Sequence, residues 1–398
     1  MNLRQKIEQE IRERGTIPFS RYMELCLYDP EFGYYSRNAE KFGKAGDFYT
    51  SSDVHAVFGR LLARQFEEMW RALGKPEQID VLELGPGRGL FAQDVLDWSE
   101  KKFPEFFRAV RYTLAERSAS LRERLAANLR HRISSGKVVV QSQFGDSGFN
   151  NQSEDMPQPP AGGDARRSTA RFVAEAPLIV FANEFFDALP VEILSEQGAL
   201  RINLGDGNFV EEWAPASAAE LEFLDRYGVH PETGMRTEAT LVAQKQMANL
   251  SAAIEEGFLV TIDYGYTREE QLAGRHLGTV MTYRQHSASP NPYEAPGDQD
   301  ITAHVNFTAL ASTAEQSGMR AHQLLTQSQF LLGIGEANQF GDAFEECRLP
   351  EERAKIALQL KHLVTPAGMG ETFQVLVASK DVPCESVENL SGLSFAKS

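Results

Sequence analysis

The sequence predicts an α/β protein: a doubly wound, mostly parallel sheet with a helical N-terminal extension and a subdomain inserted on the side where ligands collect. Three observations carry that expectation. From residue 79 onward, short apolar runs alternate with helical segments: IDVLEL, RYTLAE, KVVVQSQ, PLIVFAN and GFLVTIDYG. Strands buried under helices on both faces have this continuous apolar character. The first run ends in a glycine turn, Gly85-Pro86-Gly87-Arg88-Gly89, that opens directly into the helical pattern LFAQDVLDW. Finally, a chain of 398 residues that is 42% hydrophobic can bury a large core, as one large domain or two.

Taken in order, residues 1–75 are expected to be helical at both ends around an irregular stretch from about Tyr28 to Ser52, rich in Gly, Asp, Tyr and Phe. Aperiodic loops of this composition run over surfaces and carry binding residues, so the stretch is a candidate lid. The sheet core is assigned to 76–192 and 257–380. Within it, 146–172 has almost no aliphatic content and is rich in Pro, Gly, Ser, Asp and Asn, the composition of a long flexible loop. Segment 193–256 interrupts the strand and helix rhythm with a hairpin pattern (ALRINL, GDGN, FVEEW) and two helical stretches, and is expected as an inserted cap. Residues 381–398 are polar and are expected to trail off as a flexible tail.

Composition excludes several classes. With 40 Lys+Arg against 56 Asp+Glu the formal net charge is −16, and a chain that grips a phosphate backbone needs a basic stripe, so no nucleic-acid partner is expected. The Arg-rich stretch 117–132 has few aromatics and is assigned to a solvated helix face. No apolar run approaches the roughly 20 residues of a membrane span. The start, MNLRQKIEQEIRERG, is charged from residue 4 and contains acids, unlike a secretory or transit peptide, so a cytoplasmic location is expected. Cys26, Cys347 and Cys384 are scattered, and the eight histidines form no H-x-x-x-H or His/Cys cluster, so neither a disulfide framework nor a metal is expected.

The sharpest signal is the glycine turn. A dinucleotide fingerprint, G-x-G-x-x-G, would place its third glycine at Leu90, so an oxidoreductase is disfavoured. The pattern present is acid-x-G-x-G-x-G, Glu83 followed by Gly85, Gly87 and Gly89, the form carried by S-adenosyl-L-methionine methyltransferases with a doubly wound, Rossmann-like sheet. Its logic is physical: no third glycine is needed to admit a pyrophosphate, and an acid at Glu83 can hold the ligand's ammonium. A second acid is then expected where the next strand ends, accepting both ribose hydroxyls, and Glu116 stands there. Gln141, Gln143 and Asp146 are alternatives for reading the adenine.

Ligands of open α/β sheets collect outside the carboxyl ends of the strands. The fourth run ends there in Asn183-Glu184-Phe185-Phe186-Asp187, and the fifth in Asp263-Tyr264-Gly265. Methyl transfer is an in-line displacement that needs a positioned nucleophile in a dry pocket. A guanidinium stays protonated in water, so methylating it requires groups that orient its fork and accept a proton. Glu184 and Asp187 suit that role. Glu184, Asp187 and Asp263 together would form an acidic mouth that attracts an arginine-bearing segment. His304 titrates near neutrality and is either a proton relay or a hydrogen-bonded structural residue. There is no Ser or Cys nucleophile elbow.

Several segments together resemble the MidA family: SRYMELCLYDPEFGYYS (20–36), GDFYTSSDVHAVFG (46–59), VLELGPGRG (81–89), NEFFDALPV (183–191), IDYG (262–265) and DITAHVNFTAL (300–310). The likeness runs over most of residues 15–378. It implies a class I methyltransferase fold that binds S-adenosyl-L-methionine, symmetric dimethylation of an arginine in a protein partner and, for the mitochondrial members, assembly of respiratory complex I through one of its subunits. Without a transit peptide the chain resembles a bacterial member. Carried over, the resemblance gives cofactor roles to Glu83, Gly85, Gly87, Gly89, Glu116 and Asn183. It also gives a closing role to GDFYTS, with Gly46, Asp47 and Thr50 at the cofactor and Phe48 or Tyr49 facing the sulfonium. Glu184 and Asp187 would address the substrate. Asn306 departs from the aspartate of the family's D-I-T-x-x-V-D-F pattern. The alternatives are methyl transfer to a small molecule or another side chain, and a cofactor-binding assembly factor with vestigial catalysis.

Overall fold

The computed structural model describes residues 1–37, 56–142, 176–284, 287–289 and 291–397. The loop assigned to 146–172, the GDFYTS segment, Gln143 and Asp146 lie outside the described residues.

The expected apolar runs form one sheet. Its main path runs through β1 (Ile79–Leu84), β2 (Val110–Ala115), β3 (Val138–Gln141), β4 (Leu178–Asn183), β5 (Gly257–Tyr266), β6 (Arg320–Ala321) and β7 (Phe373–Lys380), in the order 3-2-1-4-5-7-6, with the short strands Val305–Asn306 and Leu325–Thr326 pairing off that path with β5 and β7. The first five are mutually parallel. β7 runs antiparallel beside β5, and β6 pairs antiparallel with it. Strand order reverses between β1 and β4, which places a crevice at their carboxyl ends.

All six residues of β1 are buried because both faces are covered. Val81, Phe181 and Val260 meet the helices Ala56–Ala72 and Leu90–Lys102 on one face, where Phe91 stacks on Phe181 at 4.4 Å. Leu82, Val180 and Leu259 meet the helices Leu241–Ala253 and Phe307–Gln316 on the other. Leu241–Ala253, which fell within the segment assigned to the inserted cap, is thus the crossover that parallel β4 and β5 require.

The rest of the insertion joins the N-terminus. A second sheet pairs Ile17–Pro18 with Gly198–Gly205, itself in a hairpin with Asn208–Ala214, and continues through Glu192–Ser195 to Thr237–Ala239. Leu3, Ile7 and Ile11, one residue per turn of the helix Leu3–Arg14, share a core with Phe19, Tyr22, Leu200 and Ile202. The N-terminal extension assigned to 1–75 therefore divides: 1–37 belongs with the cap sheet, and Ala56–Ala72 with the main sheet.

The end of the chain also departs from expectation. Instead of trailing off, Val387, Leu390 and Leu393 enter the main core. Ser391 donates its N–H and hydroxyl to Glu68 Oε2 (2.8 and 2.7 Å), and the Gly392 N–H reaches Gln65 Oε1 (2.9 Å). Three apolar residues spaced three apart outweigh the polar composition around them. Among the described residues, no helix is long and apolar enough to cross a membrane.

Candidate active site

β1 delivers the glycine turn to the crevice. Gly85, Gly87 and Gly89 have φ of 61°, 52° and 74°, a left-handed conformation that side chains other than glycine rarely adopt. Around Gly87 a Cβ would meet nothing within 4 Å, so the backbone there faces open space. Gly89 differs. A Cβ on it would come within 2.6 Å of Leu125, and it lies outside the lining of the cleft, so its smallness serves helix packing and the ligand contact assigned to it is not in view.

The turn floors a cleft of about 540 Å³. Glu83 and Glu116 line it, as do Asn183, Glu184 and Asp187. Glu83 accepts a hydrogen bond from the Tyr112 hydroxyl (2.9 Å), and burial pushes its carboxyl up to about 8. Glu116, ending β2, accepts the Ser118 N–H (2.8 Å), and burial pushes it up to about 7. Ser142 lines the cleft beyond β3; the neighbouring Gln141 has a buried Nε2 with no partner among the described residues.

At the end of β4, Glu184 takes a left-handed φ of 50° while its N–H reaches the Ile262 carbonyl (2.9 Å). A non-glycine residue held there stores strain of the kind found at functional sites. Asn183 donates from Nδ2 to Glu184 Oε1 (3.2 Å), and its Oδ1 is buried with no partner among the described residues.

The following turn is held from beneath. Asp263 accepts the N–H groups of Phe185 (3.2 Å), Phe186 (3.0 Å) and Asp187 (3.3 Å) on Oδ2 and that of Tyr264 (2.9 Å) on Oδ1. Burial and the carboxylates of Asp187 and Glu184 push Asp263 up, while the backbone donors oppose them. Fully buried, it is a structural anchor and no part of an acidic mouth. Asp187 Oδ2 accepts the Tyr264 hydroxyl, and its Oδ1 is buried with no partner among the described residues. Burial raises its pKa, against the pull of that hydroxyl and of the backbone N–H groups of Ala188 and Asp187.

The N-terminal segment roofs the cleft with Tyr28, Pro30, Tyr35 and Ser36. Tyr28 donates to the Ala188 carbonyl (2.9 Å) and lies under the Arg117 guanidinium (5.1 Å), while Tyr35 donates to Asp300 Oδ1 (3.0 Å). The sequence marked this stretch only as lid-like; the tyrosine spacing of YDPEFGYY was the signal that named the residues. Gly46, Asp47, Phe48, Tyr49 and Thr50 lie outside the described residues.

His304 is not in the lining of the cleft. Its ring stands edge-on to Tyr264 (5.3 Å), its Nδ1 lies 3.1 Å from Nδ1 of His276, and burial lowers it to about 4. An imidazole held neutral behind Tyr264, outside the lining of the cleft, does not fit the proton-relay reading. Asn306 caps the helix Phe307–Gln316 through the Ala309 N–H (2.9 Å) and donates from Nδ2 to the Tyr227 carbonyl (2.8 Å), a donation that an ionised aspartate could not make.

The cleft thus offers open backbone at Gly87, a buried carboxyl at Glu83 and a strand-end carboxyl at Glu116. That set fits a nucleoside bearing an ammonium.

Comparison with known proteins agrees. The model of the S-adenosyl-L-methionine-dependent methyltransferase family matches residues 61–325. The mitochondrial protein arginine methyltransferase NDUFAF7 homolog of Drosophila melanogaster is 28% identical over 99% of this chain and 89% of its own length. The human protein arginine methyltransferase NDUFAF7 is 26% identical over 92% of this chain and 80% of its own. A crystal structure from Burkholderia thailandensis, solved bound to S-adenosyl-homocysteine, superposes with a TM-score of 0.78 and 28% identity, covering 98% of this chain and 94% of that one. The chain belongs to the S-adenosyl-L-methionine-dependent methyltransferases, in the branch that its resemblance to MidA indicated, and S-adenosyl-L-methionine is its cofactor.

Proposed function

We propose that the chain methylates the guanidinium of an arginine in a protein partner, with symmetric dimethylarginine as the product. The observation that carries this reading is the pair of carboxylates, Glu184 and Asp187, that one turn delivers to the cofactor cleft, with Asp187 Oδ1 buried and without a partner among the described residues. The names of the relatives as arginine methyltransferases support it.

The cofactor supplies an electrophilic methyl group on a sulfonium. In this reading Glu83 holds its ammonium, Glu116 its ribose hydroxyls, and Gly85, Gly87 and Asn183 the backbone surface against it. Glu184 and Asp187 orient the guanidinium fork, and Asp187 Oδ1 takes the proton released as the nitrogen is methylated. The tyrosine roof excludes water, which strengthens both ion pairs.

The test is transfer of labelled methyl groups from S-adenosyl-L-methionine to proteins of a cell extract, followed by hydrolysis. Label should appear in methylarginine, and Glu184→Ala should abolish it. Label confined to the protein-free fraction would replace the reading with a small-molecule acceptor.

A pH dependence follows from the two buried acids. In the ligand-free site Glu83 holds its proton up to about pH 8 and Glu116 up to about pH 7. A bound ammonium favours ionised Glu83, so binding near neutrality releases protons. Affinity for S-adenosyl-homocysteine should therefore rise between pH 6 and 8, by up to about tenfold per pH unit for each proton released, then level off. Calorimetry in buffers of different ionisation enthalpy reads the released protons; a flat profile with none released would remove Glu83 from the ammonium site.

A further inference from the structure

The residue that holds the Asp187 side chain lies outside the lining of the cleft. Tyr264, near the end of β5, donates its hydroxyl to Asp187 Oδ2. Its ring is clamped edge-on by Phe373 of β7 (5.6 Å) and by His304 (5.3 Å), and its own N–H is fixed by Asp263 Oδ1 (2.9 Å). The phenol therefore has little freedom to follow a moving carboxylate. With Oδ2 occupied, Oδ1 is the oxygen left for a ligand, and it is buried with no partner among the described residues.

We propose that Tyr264 is a positioning residue for methyl transfer: its hydroxyl fixes Asp187 Oδ2 and so presents Oδ1 to the acceptor guanidinium. The proposal rests on the reading of Asp187 as an acceptor contact. The donated bond also favours the ionised carboxylate, the form that pairs with a cation. Other groups around Asp187 pull its charge the opposite way. Asp263 on β5 carries a carboxylate that repels those of Asp187 and of Glu184 on the same turn as Asp187. Tyr28 and Tyr35 face it from the N-terminal segment and Tyr283 from the strand Met281–Arg284, all three as neutral phenols that add no charge. Tyr264 is thus the side chain that offsets this concentration of negative charge.

The experiment uses the full chain loaded with S-adenosyl-homocysteine, titrated with the peptide acetyl-Gly-Gly-Arg-Gly-Gly-amide over a range of pH. Binding should strengthen as pH rises through the ionisation of Asp187, and Asp187→Asn should remove that dependence. Tyr264→Phe should weaken the peptide about tenfold and move the midpoint of the profile up by about one pH unit, with S-adenosyl-homocysteine affinity unchanged. Added to Asp187→Asn, it should cost nothing more. A merely structural tyrosine would lower affinity at every pH and leave the midpoint in place.

Peptide binding that is absent in the wild type, or equal in Asp187→Asn, overturns the acceptor reading and this inference with it. Loss in Asp187→Asn with an unmoved midpoint in Tyr264→Phe overturns the inference alone. Should Tyr264→Phe fail to bind S-adenosyl-homocysteine, 3-fluorotyrosine introduced at position 264 keeps the shape with a more acidic hydroxyl. It should move the midpoint down, and an unmoved midpoint overturns the inference.

Discussion

Glu116→Ala is expected to weaken S-adenosyl-homocysteine binding by about 100-fold or more. In the proposed site its carboxylate accepts both ribose hydroxyls, and hydrogen bonds to a charged group contribute roughly 1.5–3 kcal/mol each, so two at the lower end already reach about 3 kcal/mol. The fold should tolerate the change. Glu116 ends β2, and among the described residues its carboxylate is bound to backbone N–H, principally that of Ser118 at the start of the next helix, not to a packed side chain. Burial also works against its charged form in the ligand-free protein, which offsets the donor left unpaired at Ser118, so stability near neutral pH should change little. Calorimetry and thermal melting together check both halves; a loss under tenfold would take Glu116 out of the ribose site.

Asp263→Ala should act in the opposite way, on stability first. The change strips acceptors from the N–H groups of Phe185, Phe186, Asp187 and Tyr264, and each buried donor left unpaired costs about 1–3 kcal/mol. Relief of repulsion with Asp187 and Glu184 offsets part of this. A net loss of about 4 kcal/mol is expected in urea denaturation, along with loss of methyl transfer as the turn slackens. A variant within about 1 kcal/mol of wild type would show that the turn holds itself.

The two residues mark where the sequence was legible. Glu116 could be located because its position depends on local facts, an apolar run and the strand end that follows a glycine turn. The turn itself, with Glu83, Gly85 and Gly87, was legible for the same reason. Asp263 looked like a second mouth acid because its partners are backbone groups of a turn 76–78 positions earlier, and nothing at Asp263 announces them. His304 was singled out for its titration range, which is a property of the residue type; its place behind Tyr264, outside the lining of the cleft, is a property of packing. Ile17–Pro18 is too short to show a period, so its place in the cap sheet was invisible until Gly198–Gly205 was beside it. Gly89 carried the right spacing, yet the neighbour that requires a glycine there is Leu125, on a different helix.

The roof has a consequence for how the molecule is made. Tyr35 is translated early, and its partner Asp300 comes 265 residues later. Tyr28 meets Ala188 160 residues downstream, and Arg4 closes on the Gly207 carbonyl after 203. Contacts so distant along the chain carry a large loop-closure cost and form slowly. On the ribosome the first 37 residues must therefore wait as loosely associated helices with their apolar faces uncovered, while β1, β2 and the glycine turn emerge behind them. The cleft is floored before it is roofed. The wall that closes it precedes the floor in the chain, and during synthesis the apolar faces of that segment stay uncovered until the cap strands emerge.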